Sequence, residues 1–111
     1  MPESSAAPAP PEALPDVRLD ELPVAETELE PPCKVLIHND DVTPFDFVID
    51  VLRGVFELSG RDALAVTTRA HVTGIAYVTT LPYEEAKYRV AKAHGMARSA
   101  GFPLTFSIEP E

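Results

Sequence analysis

Hydrophobic and polar residues recur with different periods along the chain, and each change of period marks an element. Cys33-Lys34-Val35-Leu36-Ile37-His38 is an apolar, β-branched run bounded by Pro32 and by Asn39-Asp40-Asp41, which predicts a strand over 33–38. Phe47, Val48, Val51, Leu52 and Val55 then recur at helical spacing, with Asp46, Asp50 and Arg53 opposite, predicting an amphipathic helix to about Glu57. Thr43 is its expected N-cap, Pro44 takes the first helical position where a missing N–H costs nothing, and Asp46 completes a pattern close to a capping box. Ser59 with Asp62 repeats that signal for a second, short helix that runs to about His71 and stops at Gly74. Ile75 to Thr80 reads as a strand. Thr80, Pro82, Glu84 and Glu85 open a third helix with Ala86, Val90, Ala93 and Ala97 on one face and Gly101 as a left-handed cap. Pro103 introduces a last strand over 104–108, where Leu104, Phe106 and Ile108 alternate to one side. The order β-α-α-β-α-β predicts an α+β domain, three helices packed with a small antiparallel three-stranded sheet.

The stretch before Cys33 has no such periodicity. Up to Pro32 the chain holds eight acidic residues, one arginine, eight of the 12 prolines and no aromatic residue, so ordering it would bury too little to offset the lost entropy. The expected organisation is a disordered acidic tail over 1–32 followed by one folded domain over 33–111. Leu19, Leu22, Val24 and Leu29 within the tail fit either a docking segment or an inert solvating arm.

A chain of 111 residues, 45% of them hydrophobic, supplies one small core and excludes a multidomain enzyme. The net charge of −9, carried mainly by the tail, opposes binding to nucleic acid or to an anionic membrane. Cys33 is the single cysteine, so neither an internal disulfide nor a thiolate metal cluster is available within one chain. Met1 to Leu14 lacks the positive flank and apolar stretch of a signal, and no apolar run reaches the roughly 18 residues of a membrane span; a soluble, cytoplasmic protein is expected.

Candidate chemistry gathers at two places. Asn39-Asp40-Asp41 lies at the junction of the first strand and first helix, where such residues also form turns, and where Asp41 also complements the helix dipole. His71 near the end of the second helix has the same dual reading. His38, Asp40, Asp41 and His71 include metal-ligating types, without ligand-type spacing.

The run Asn39-Asp40-Asp41, one residue, Thr43-Pro44, one residue, Asp46-Phe47-Val48 resembles the opening motif of the ClpS family, adaptors of the bacterial N-degron pathway. The likeness continues through His71, Gly74, Lys87, Arg98, Pro103 and Leu104, covering Lys34 to Glu109. It implies an adaptor, not an enzyme and without cofactor, that captures proteins with N-terminal Phe, Tyr, Trp or Leu and hands them to the N-domain of a Clp-type AAA+ unfoldase, ClpA-like or ClpC-like; a monomer is the default expectation for a domain of this size. Carried over residue by residue, the resemblance assigns Asn39, Asp41 and His71 to the substrate's α-amino group, with Asp40 supporting the turn. It assigns Ile37, Thr43, Phe45, Val48, Thr67, Ala70 and Leu104 to an apolar side-chain pocket, although Val48 and Leu104 also fit the ordinary core. Glu84 and Arg89, at expected exposed positions of the third helix, match the unfoldase contact. Many family members carry Met in place of Phe45 and bulkier apolar residues in place of Thr67 and Ala70. The gate is therefore expected to be stiffer and the rear wall smaller and partly polar, altering the ranking among ligands and disfavouring β-branched ones. Two rival readings are an interaction domain of the architecture seen in the C-terminal domain of the acidic ribosomal stalk protein, and a small metal-dependent hydrolase using the same Asp and His residues.

Overall fold

Period-two burial runs through the first strand. β1 (Pro32–His38) buries Cys33, Val35 and Ile37 and leaves Lys34, Leu36 and His38 half-exposed, as expected of a strand with one face on a core. The structure is a computed structural model and describes residues 31–111. The expected tail therefore lies outside the described residues, apart from Pro31 and Pro32.

β1 is the middle strand. β2 (Ile75–Pro82) and β3 (Thr105–Pro110) flank it and both pair with it antiparallel. Between Val35 and Leu36 the β1–β2 register slips: Val35 faces Thr79 and Leu36 faces Tyr77, so Val78 is the extra residue of a bulge. Three helices, α1 (Phe45–Gly54), α2 (Gly60–Thr73) and α3 (Tyr83–Ser99), supply the rest of the core. Val48, Val51 and Leu52 of α1, Ala63, Val66 and Ala70 of α2, and Ala86, Val90, Ala93 and Ala97 of α3 close over Val35, Ile37, Ala76, Val78 and Phe106. The alanine stripe of α3 allows its backbone close to the sheet. Element order and sheet type match the sequence expectation.

β3 runs over 105–110 against an expected 104–108 and β2 continues past Thr80 to Pro82, while the ends of α1 and the start of α3 differ from expectation for local reasons. α1 begins at Phe45, with Pro44 in the cap position and no side-chain cap, because the Thr43 hydroxyl and N–H are both bonded to the Asp40 carboxylate. Asp46 bonds only the adjacent Phe47 N–H, so no capping box forms. α1 stops at Gly54, short of Glu57, which stands at a left-handed φ of 62°. α3 starts at Tyr83 because Thr80 is still paired in the sheet with Lys34. The other caps follow the sequence: Ser59 Oγ accepts from the Asp62 N–H at 3.0 Å, and Gly74 ends α2 at φ 92°. Gly101, at φ 84°, completes a Schellman motif in which the Phe102 N–H reaches the Ala97 carbonyl at 2.8 Å and its own N–H reaches Arg98 at 3.0 Å.

Candidate functional site

Two chain reversals build the site, and a backbone bond joins them. The Asn39 N–H donates to the Gly74 carbonyl at 2.9 Å, fastening the turn after β1 to the end of α2. Gly74 serves both ends of this junction: its left-handed backbone terminates α2, its N–H returns to Ala70 at 2.8 Å, and its carbonyl faces Asn39. A residue with a Cβ would be strained at that φ.

Asp40 is the keystone of the first reversal. Its Oδ1 accepts from the Val42 N–H at 2.8 Å, the Thr43 N–H at 2.7 Å and the Thr43 hydroxyl at 2.9 Å, and Oδ2 also contacts that hydroxyl at 2.9 Å. Burial pushes the Asp40 carboxyl up, but the two N–H groups, the hydroxyl and the charge of Arg98 together hold it below its ordinary value. Asp40 thus spends its acceptors on the turn. Asn39 and Asp41, on either side of it, are exposed, and among the described residues no hydrogen bond or ion pair engages their side chains or that of His71. The His71 ring instead meets the edge of Phe45, with centroids 5.5 Å apart and planes at 80°.

These reversals rim a cavity of about 170 Å³. Its floor is apolar and buried: Ile37 from β1, Val48 from α1, Ala70 and Thr67 from α2, and Leu104 from the α3–β3 connection. Thr67 donates its hydroxyl to the Ala63 carbonyl at 2.7 Å, so its polar hydrogen is satisfied within α2 and the rear wall is less polar than its composition implies. Leu104 is fixed from behind by Arg98, which donates to the carbonyls of Phe102 at 2.9 Å and Leu104 at 2.8 Å. Asn39, Asp41, His71 and the half-exposed ring of Phe45 form the mouth. Phe45 is 41% exposed, a large apolar surface left in water where an ordinary core residue would have been covered.

All eleven residues that the resemblance assigns to the amino-group site and the pocket line this one cavity. A twelfth, His38, also lines it; its Nε2 lies 2.6 Å from Ser107 Oγ. Sequence reasoning noted His38 only as a metal-ligating type, and nothing in a lone histidine at a strand end marks it as a pocket residue. Among the described residues no group of three or more His, Cys, Asp or Glu side chains is arranged to hold a metal ion. No described helix is long and apolar enough to cross a membrane.

Glu84 and Arg89 lie away from the cavity. Glu84 is exposed and 3.4 Å from Lys87. Arg89 is not exposed as expected: its side chain is 23% accessible, held by Glu85 at 2.8 Å and Glu57 at 3.4 Å, and its guanidinium donates to the Val55 carbonyl just beyond α1. The cause is geometric, since Glu85 precedes Arg89 by one helical turn and the end of α1 leaves a carbonyl without a helical partner within reach.

A cavity with an apolar floor, whose mouth carries an amide, a carboxylate and an imidazole without internal hydrogen-bond partners, is chemically suited to a ligand with an apolar group beside a hydrogen-bond donor, the arrangement of a small binding domain. Comparison with known proteins places it more closely. Residues 28–107 match the family model described as ATP-dependent Clp protease adaptor protein ClpS. The adapter protein ClpS of Desulfatibacillum aliphaticivorans is 38% identical over 105 residues, covering 95% of this chain and 99% of that relative. That of Nautilia profundicola is 42% identical over 76 residues, 68% of this chain and 78% of its own. Among solved structures, Agrobacterium tumefaciens ClpS2 bound to L-phenylalaninamide superposes with a TM-score of 0.71 at 38% identity, covering 74% of this chain and 99% of that one. The chain belongs to the ClpS family of Clp protease adaptors.

Proposed function

We propose that this protein captures polypeptides through a free N-terminal residue with a bulky hydrophobic side chain and delivers them to a Clp AAA+ unfoldase for degradation, making and breaking no bond itself. The observation that carries this reading is the unspent set of acceptors, Asn39, Asp41 and His71, at the mouth of an apolar cavity. An α-amino group has a pKa of about 7.7–8.0 and is mostly ammonium at neutral pH, with three donors to offer. A carboxylate oxygen, an amide oxygen and an imidazole nitrogen accept them. Acetylation removes the charge and two of the donors, leaving acceptors unpaired at roughly 1–3 kcal/mol each. Phe45 holds the His71 ring from the side, so the imidazole is oriented before the ligand arrives.

The cavity suits one ring. An apolar cavity of about 150 Å³ is known to admit benzene, and the about 170 Å³ here is of that size. The ligands, on the family likeness, are Phe, Tyr, Trp and Leu; the cavity size fits the single ring of Phe or Tyr and the side chain of Leu most directly, with a ranking set by Phe45, Thr67 and Ala70. Ile and Val are disfavoured, because a branch at Cβ is stiff and falls at the narrow mouth beside a ring with no adaptable thioether chain. The relative that holds L-phenylalaninamide supports this reading by its likeness.

The partner is the N-domain of a ClpA-like or ClpC-like unfoldase, met through the exposed Glu84 side of α3, in the cytoplasm, with the adaptor acting as a monomer. Arg89 contributes by fixing α3 against α1. The acidic tail of residues 1–32 acts in handover, since a covalently tethered segment raises the effective concentration of what it binds. Degradation of a Phe-initiated reporter by the unfoldase and its peptidase tests this assembly. Deleting Met1 to Glu30 should leave peptide affinity within twofold and slow degradation strongly; undiminished degradation by the truncated protein overturns the role of the tail. Ile- or Val-initiated peptides binding as well as the Phe peptide overturn the account of selectivity.

A further inference from the structure

A ligand that enters by its first residue must continue out of the mouth, and an apolar strip on the sheet begins at the rim. His38 belongs both to the cavity and to the face of the sheet that no described helix covers. On that face His38 is paired directly with Ile75, and the next row pairs Leu36 with Tyr77, so the four side chains form a continuous strip leading away from the pocket. Ile75 is 43% and Tyr77 46% exposed, more than a lone strand residue needs for packing. Two residues along a strand span roughly 6.6 Å, the reach of two further residues of an extended chain.

Resting on the reading of the pocket as an N-terminal residue site, we propose that Ile75 and Tyr77, reached across His38, form a second subsite that binds the second and third residues of the same substrate and favours apolar ones. Removing roughly 50 Å² of apolar surface from water at about 25 cal/mol per Å² corresponds to a little under tenfold in affinity. The test uses the full chain and three ligands: L-phenylalaninamide, which has no second residue, and the amidated tetrapeptides Phe-Leu-Leu-Lys and Phe-Ser-Ser-Lys. The wild-type protein should bind the Leu-Leu peptide about five- to tenfold more tightly than the Ser-Ser peptide. Ile75→Thr combined with Tyr77→Thr keeps β-branched residues in the strand; it should cut that preference to under twofold and leave L-phenylalaninamide affinity unchanged, with thermal unfolding confirming the fold. Equal affinity for the two tetrapeptides in wild type overturns the subsite, as does a preference that survives the double substitution or vanishes instead on Val42→Ser. Failure of L-phenylalaninamide itself to bind overturns the pocket reading, and the subsite with it.

Discussion

Asp40→Ala removes one side chain that four contacts depend on, and its effects on stability and binding can be worked out separately. The carboxylate accepts two N–H groups and a hydroxyl at 2.7–2.9 Å, two of the three donors belonging to Thr43, part-buried, and the third to Val42, in open solvent. Hydrogen bonds to charged groups contribute about 1.5–3 kcal/mol each when shielded and much less when water can replace the partner. Counting the Thr43 pair as the equivalent of one shielded bond gives about 2 kcal/mol. For a domain of this size, about 4–8 °C of Tm accompanies each kcal/mol, so thermal unfolding at pH 7 should fall by about 8–16 °C. Because the folded-state pKa of Asp40 is depressed, its contribution is fully present above the unfolded value near 3.9 and is lost as pH falls through the folded value. The gap between wild type and variant should therefore be constant from pH 7 to about 5 and close towards pH 3. Affinity for a Phe-initiated peptide should fall at least about tenfold, since Asn39 and Asp41 lose the turn that aims them. Denaturation curves across pH 3–7, with peptide titrations at pH 7, make the measurement. A gap below about 0.5 kcal/mol at pH 7, or one that persists unchanged at pH 3, refutes this account of the turn.

Phe45→Ala should lower peptide affinity about five- to tenfold while moving Tm little, because the ring is 41% exposed and its contact is with His71; isothermal titration and calorimetry separate the two effects. Arg89→Ala should cost about 1–2 kcal/mol by leaving the Val55 carbonyl and Glu85 without their partner, whereas Glu84→Ala should leave stability within about 0.5 kcal/mol and reduce only degradation, read in a reporter assay. His94 accepts the Phe106 N–H at Nε2, 2.9 Å away, and burial together with the Arg98 charge holds its pKa below the ordinary value. Its contribution is therefore complete above about pH 6.5 and declines as pH falls below it; urea denaturation from pH 7.5 to 5 should show that decline in wild type and a shallower one in His94→Gln.

How much of this was legible in the sequence depended on how local each signal was. Alternation in 33–38 and the helical stripe Val48, Val51, Leu52 were enough for the elements, because a strand or helix with one buried face must show the period of that face. Gly74 and Gly101 announced their positive φ because each follows a helical stripe, where a left-handed cap favours a residue without a Cβ. Thr43 misled because its hydroxyl was expected to accept an N–H of the first helical turn, whereas it donates to Asp40, three residues earlier, which also takes the Thr43 N–H. Arg89 looked exposed because spacing within α3 cannot reveal Val55 and Glu57, more than thirty residues away in sequence. Asn39-Asp40-Asp41 could be read alone as a turn, and that is true of Asp40. The meaning of its two neighbours comes from the cavity they border, which only the packing of β1, α1 and α2 creates.

The most direct test is fluorescence anisotropy with a labelled peptide beginning with Phe, its N-acetylated twin, and the Asp41→Ala and His71→Ala proteins. Micromolar or tighter binding by the free peptide, lost on acetylation and in both variants, is the predicted result. Equal binding of the two peptides, or no binding by either, would contradict recognition of a free N-terminal residue.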